Sequence, residues 1–279
     1  MRSNLFIPSF NKKYIDKILI TNFDNYIFDL EDSVPDNKKE VARKNIKYFL
    51  KKNVKSKNFM FRINGIHSNN FKKDLKMIHE IRDKVREINI VLPKTQNIKD
   101  IKFLTRSFKS PFNIYPLIET AQSLINLEKI INCSKKIKGL ILGTEDMIAD
   151  FKATKKSKLV LDLARMRSLI VCRAHNITCI DTVITDVKNL KYFRKFCKES
   201  VAEGFDGILC LNLNQAKIAH ELFSIDHKEY KRVKKIVNEY ERNKNKSVYY
   251  YGKKKGIFLS PPTIIIYKNI ISKYEEQNK

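Results

Sequence analysis

The chain has 279 residues, 43% of them hydrophobic, with only seven Gly and seven Pro, a composition that excludes a disordered polymer and fits one large globular core. Lys and Arg number 56 against 30 Asp and Glu, leaving a net charge of +26. The basic pairs Lys12-Lys13, Lys38-Lys39, Lys51-Lys52, Lys72-Lys73 and Lys155-Lys156 are spread over many segments, which speaks for a solvated basic surface and against a nucleic-acid interface, where charge would be concentrated.

The five cysteines (Cys133, Cys172, Cys179, Cys197, Cys210) form no CxxC pair, so neither a zinc site nor a disulfide framework is expected. The apolar run before Pro8 is too short for a secretory core segment. No stretch is long enough to span a bilayer, and a soluble, cytoplasmic protein is expected.

Apolar strand candidates follow at regular intervals: 5–8, 25–30, 58–63, 88–92, 113–118, 138–143, 177–181 and 206–211. Helical spacing of apolar residues fills the gaps near 11–20, 37–52, 68–84, 97–109, 120–132, 145–174, 187–203 and 214–223. Short strands that are apolar throughout suit a parallel sheet buried on both faces. Eight strands alternating with eight helices is the count of a (β/α)₈ TIM barrel, predicted over residues 1–224. An open doubly wound sheet would carry a Gly-rich phosphate loop after its first strand, and Pro8-Ser9-Phe10-Asn11 is not one.

From 225 to 279 the character changes to a C-terminal helical extension. The stretch 226–246 is charged with helical spacing, and Lys244-Asn245-Lys246 at its end and Lys253-Lys254-Lys255 bracket a Tyr-rich link, Tyr249-Tyr250-Tyr251, read as a solvated linker. Pro261-Pro262 then opens an apolar helix from Ile264 to Tyr274.

Barrel enzymes place chemistry at the carboxyl ends of their strands. Here those ends carry Pro8, Asp29, Glu31, Asp32, Arg62, Asn64, Pro93, Lys94, Glu119, Glu145, Asp146, Asp181 and Asn212. The stretch 114–150 holds the centre of this pattern: two apolar strands, each ending in acids, Glu119 after the first and Glu145-Asp146 after the second. Two carboxylates on neighbouring parallel strands suit a hard divalent cation, with water and substrate in its other positions. So many acids at one mouth repel each other unless cations sit among them.

Taken in order, RSNLFIP, YIFDLEDSV, FRING, IVLPKTQ, PLIETA, GLILGTEDMIADF, ARMRSLIVCRAHNITCIDTVITD and GFDGILCLN resemble the citrate lyase beta-subunit group of the HpcH/HpaI aldolase family, relatives of malyl-CoA and citramalyl-CoA lyases. The resemblance runs from Arg2 to about Leu222. It implies a TIM barrel that assembles into homo-oligomers, trimers or hexamers, and uses Mg²⁺. By position, Glu119 and Asp146 match the family's metal ligands, and Glu119 also borders the substrate. Glu31 and Asp32 match acids beside the metal waters, and Arg62 matches the arginine that grips a 2-oxo acid. The implied reaction is reversible cleavage of a citryl-, malyl- or citramalyl-CoA-like 3-hydroxyacyl thioester to acetyl-CoA and a 2-oxo acid.

Three departures stand beside the match. The family's His-Pro-Ser-Gln stretch is Asn212-Leu213-Asn214-Gln215, its Gly after the first-strand proline is Ser9, and Ser260 stands where a lid aspartate is common. A serine cannot act as a carboxylate acid or base. Alternatives therefore stay open: an aldolase acting on a non-CoA 2-oxo acid substrate, or an impaired relative serving as a binding subunit.

Overall fold

The computed structural model describes every residue except 53, 55, 155–156, 243–248, 252–255 and 279. The chain forms two compact units, Met1–Phe223 and Ser224–Lys279.

In the first unit eight parallel strands close into a barrel in sequence order, β1 (Ser3–Pro8) pairing with both β2 (Asn25–Asp29) and β8 (Gly207–Cys210). Between these lie β3 (Phe59–Arg62), β4 (Asn89–Leu92), β5 (Asn113–Ile118), β6 (Gly139–Leu142) and β7 (Thr178–Asp181). Each falls within a residue or two of its predicted position. The helices of the outer ring are α1 (Lys12–Asp16), α2 (Lys39–Phe49), α3 (Phe71–Glu80), α4 (Ile98–Ser107), α5 (Ala121–Ile125), α6 (Leu127–Asn132), α7 (Thr144–Asp150), α8 (Lys158–Ala174), α9 (Leu190–Glu203) and α10 (Leu213–Leu222).

Local chemistry sets these boundaries. Asn97 and Asp100 form a reciprocal capping box that starts α4, and Gly204, at φ 99°, ends α9 in the left-handed conformation that glycine adopts without strain. Two predicted helices are each broken in two. Asn126, with ψ near 4°, separates α5 from α6. Phe151 caps α7, and Lys152 turns left-handed at φ 53° before α8 begins.

Side-chain parity divides the barrel into two packed layers. Ile27, Met60, Val91, Tyr115, Leu117, Ile141, Ile180 and Leu209 fill its interior. Alternate strand residues, such as Phe28, Phe61, Ile90, Leu140 and Cys179, pack outward against the helices. This parity decides which strand-end side chains face the mouth.

The second unit holds α11 (His227–Arg242), β9 (Tyr249–Tyr251), β10 (Ile257–Leu259) and α12 (Pro261–Gln277). Val233, Ile236, Val237, Leu259 and Ile264 form its own small core. The tyrosine stretch expected as a linker is instead a strand paired antiparallel with Ile257–Leu259, as its β-forming residues allow. The flanking Lys244-Asn245-Lys246 and Lys253-Lys254-Lys255, and the pair Lys155-Lys156, lie outside the described residues. Among the described residues, no helix is long and apolar enough to cross a membrane.

Candidate active site at the carboxyl end of the barrel

Counting two residues on from the interior layer gives the mouth: Ile27 leads to Asp29, Met60 to Arg62, Leu117 to Glu119, Ile141 to Gly143 and Leu209 to Leu211. All five line one cavity of about 260 Å³, together with Phe6, Pro8, Asp32, Ser33, Glu145, Asp146, Val183 and Thr185.

Arg62 is the cation of this cavity. Its Nε donates to Asp29 Oδ1 at 2.7 Å and its Nη2 to Asp29 Oδ2 at 2.6 Å, while Nη1 lies 3.4 Å from both Glu31 Oε2 and Asp32 Oδ2. The guanidinium also stacks over Phe6, 4.6 Å from the ring centre. Asp29 is fully buried. Burial opposes its charge, but the charge and hydrogen bonds of Arg62 outweigh burial and hold its carboxyl below the ordinary range. One edge of the guanidinium fork is thus fixed by Asp29 and Nη1 donates at longer range to Asp32 beside Glu31, so a ligand carboxylate at the Nη1–Nη2 end would replace those two longer contacts.

Glu119 is 2% exposed. Its one hydrogen-bond donor among the described residues is the Lys94 backbone N–H, at 2.5 Å from Oε1. Burial pushes its carboxyl up to about 8; the Lys94 N–H opposes this, and the charges of Glu31 and Asp146 add to it. Burial likewise pushes Glu31 up to about 7, with Arg62 pulling the other way. Both Glu31 oxygens are buried without a hydrogen-bond partner, at ion-pair range of Arg62 and of Lys94 Nζ, 3.3 Å away. Glu31, Asp32 and Lys94 border a second, more open cleft of about 620 Å³ reaching Asn64, His67 and Gln96. A narrower groove of about 230 Å³ shares Phe6, Pro8 and Leu211 with the mouth and runs past Tyr14, Ile18 and Lys17.

Other strand-end residues have structural tasks. Ile180 points inward, so Asp181 points outward. It is fully buried, and its Oδ2 accepts from Arg165 Nη2 at 2.8 Å and Ser200 Oγ at 2.7 Å, among the helices. The expectation of a mouth role for Asp181 is therefore corrected by parity. Asn64 donates to Leu30 O and Asp74 Oδ2, and Asn212 caps α10 through Gln215 N. Ser260 precedes α12, its Oγ 3.0 Å from Thr263 Oγ1. Sequence reasoning also missed Asp29 as the clamp on Arg62, although the same parity rule marks it.

Among the described residues no group of three or more His, Cys, Asp or Glu could enclose an ion. Two carboxylates, Glu119 and Asp146, do fit Mg²⁺, which keeps several waters and is commonly held by one or two protein carboxylates. Glu119, buried in the cavity with one backbone donor and no side-chain cation bonded to it among the described residues, has a carboxylate oxygen left to meet such an ion.

A family model described as HpcH/HpaI aldolase/citrate lyase matches residues 2–213. The chain belongs to this family. Among curated members it is 26% identical to the mitochondrial citramalyl-CoA lyase of Homo sapiens, over 87% of this chain and 76% of that one. It is 27% identical to the citrate lyase subunit beta of Haemophilus influenzae, over 85% and 84%. Among solved structures it is similar to RipC from Yersinia pestis, with a TM-score of 0.68, 27% identity, and 82% and 97% of the two chains covered. CitE from Mycobacterium tuberculosis, crystallised with magnesium, acetoacetate and coenzyme A, has a TM-score of 0.79 at 18% identity, covering 98% of each chain. At that identity the likeness shows the shared fold. The family is one of lyases and aldolases, so this chain is of the lyase or aldolase type.

Proposed function

We propose that the protein is a Mg²⁺-dependent carbon–carbon lyase that cleaves, or forms, a 3-hydroxyacyl thioester to give a 2-oxo acid and acetyl-CoA. The observation that carries this reading is the single cavity holding Glu119 and Asp146 beside an Arg62 already aligned by Asp29. Mg²⁺ bound by the two carboxylates would supply Lewis-acid stabilisation of the oxygen on which charge develops as the bond breaks. Arg62 would turn its Nη1–Nη2 end to the 2-oxo acid carboxylate, which replaces the 3.4 Å contacts with Glu31 and Asp32, and so fix its orientation. Glu31, near 7 and free of hydrogen-bond donors, is suited to take and return the proton that moves during cleavage, with Asp32 at the rim beside it. The apolar groove past Tyr14 fits an extended thioester arm, with Lys17 placed to meet a phosphate.

The charged lining offers one guanidinium for one carboxylate, and apart from the Ser33 and Thr185 hydroxyls the uncharged wall, with Phe6, Val183, Leu209 and Leu211, is apolar. An oxaloacetate product would bring a second carboxylate with no cation waiting for it. Malyl- and citramalyl-type thioesters, which release glyoxylate and pyruvate, should therefore be turned over faster than citryl thioesters. The test is a panel of the three thioesters and the corresponding free acids, assayed for released 2-oxo acid with Mg²⁺ and with chelator. Mg²⁺-dependent release from a thioester supports the proposal. Release from the free acids alone would favour the non-CoA aldolase, and no release from any substrate would remove the lyase reading.

A pH dependence follows from Glu119. Only the carboxylate binds a metal, so metal must displace a proton held to about 8. Mg²⁺ affinity should weaken roughly tenfold per pH unit below that titration, and binding at pH 7 should release protons. Calorimetry at pH 7 in buffers of different ionisation enthalpy measures the release; an identical heat in every buffer would contradict it.

A further inference from the structure

We infer that Gly143 and the Lys94 backbone are positioning residues that fix the Glu119 carboxylate and leave Oε2 as its single metal-binding oxygen. This rests on the reading of Glu119 and Asp146 as metal ligands and adds how one of them is aimed.

Two observations on different strands converge on this carboxylate. Lys94, after β4, has φ 53°, a left-handed conformation uncommon for a residue with a side chain and typical of sites where the surroundings enforce it. In that conformation its N–H points at Glu119 Oε1, 2.5 Å away. Gly143, after β6, has φ −113°, which any residue can adopt, so backbone conformation does not require glycine here. Space does. A Cβ at Gly143 would stand 2.8 Å from Glu119 Cβ and 2.9 Å from Oε2. The Glu119 carboxylate occupies the volume that a side chain at 143 would fill. One oxygen is tied by a hydrogen bond and the other is packed over a bare Cα. Gly143 is also the N-cap of α7, the helix that carries Asp146, so the residue packed against Oε2 starts the element that bears the proposed second ligand.

Gly143→Ala should push the Glu119 side chain out of this position. Mg²⁺ affinity is expected to fall at least about tenfold, with saturating Mg²⁺ restoring part of the lost turnover, because the ligand is displaced and not deleted. Lys94 supplies a second, independent pair of variants. Lys94→Gly permits the left-handed conformation, keeps the N–H and removes the side chain with its ammonium. Lys94→Val keeps the N–H but resists the conformation that aims it. Mg²⁺ affinity should be retained or raised in the glycine variant, which loses a neighbouring cation, and lowered about tenfold in the valine variant.

The readouts are calorimetric Mg²⁺ affinity and the rise in Tm that Mg²⁺ produces, with circular dichroism to verify the fold. Wild-type Mg²⁺ affinity in Gly143→Ala, or equal affinities in Lys94→Gly and Lys94→Val, would overturn the inference. Glu119→Ala, measured in the same series, separates the two levels. If that variant binds Mg²⁺ as the wild type does, the metal reading itself fails. If it does not, and Gly143→Ala still binds normally, only the positioning role fails.

Discussion

Replacing Glu119 or Asp146 with alanine is expected to abolish Mg²⁺ binding and to lower turnover about 10³-fold or more, while the barrel stays folded. Neither residue holds the fold together. Glu119 accepts one backbone N–H, and burial pushes its carboxyl up to about 8, so as a carboxylate it works against the folded state. The sign for the metal-free protein is the reverse of the usual carboxylate. The unfolded chain releases this proton near 4.5, whereas the folded protein keeps it to about 8, so this group lowers stability as pH rises through that interval. Glu119→Gln should therefore remove that slope and melt no lower than the wild type when Mg²⁺ is absent. Titration calorimetry and thermal unfolding of the variants check both halves. Unchanged Mg²⁺ affinity in both alanine variants would discard the metal assignment.

Arg62→Ala should cost both stability and activity, through separable causes. Asp29 is fully buried and its charge is held by Arg62. Removing one partner leaves an uncompensated buried charge, at a cost of about 3–5 kcal/mol. The Asp29→Asn/Arg62→Ala double variant, which removes the charge and keeps an oxygen to accept from the Glu31 or Ser33 backbone N–H, should recover part of that stability and none of the turnover, because the substrate carboxylate still has no partner. Arg62→Lys should also fail, since one ammonium cannot hold Asp29 in two bonds and present a second pair of donors outward. Denaturant unfolding gives the stability differences, and KM for the 2-oxo acid in the condensation direction gives the binding loss. Full turnover in the double variant would show that Arg62 serves the fold alone.

The barrel was readable in the sequence because its strands are short, apolar on both faces and evenly spaced, as in 113–118 and 138–143. The candidate mouth was readable because most of its acids stand directly after such strands. Asp29 and Asp181 show where that reading stops. Both end a strand and both are fully buried, yet one clamps the mouth arginine and the other ties helices together through Arg165 and Ser200. Only the inward or outward parity of each strand separates them, and parity needs the register of the closed sheet. Lys94 and Gly143 were harder still. A left-handed lysine and a glycine kept for space leave no periodicity to detect, since both are defined by a side chain from another strand.

The lining of the mouth is sorted by strand. The ends of β2, β3, β5 and β6 bring Asp29, Arg62, Glu119 and Asp146, whereas β1, β8 and the segment after β7 bring Phe6, Leu209, Leu211 and Val183. Because β7, β8 and β1 are consecutive around the closed barrel, the uncharged wall is one continuous arc facing a charged one. A ligand with a charged head and an uncharged tail has a single way to lie across it. The two arcs can also diverge independently: substitutions at Val183, Leu209 or Leu211 can suit a new substituent while the opposite, charged wall stays as it is.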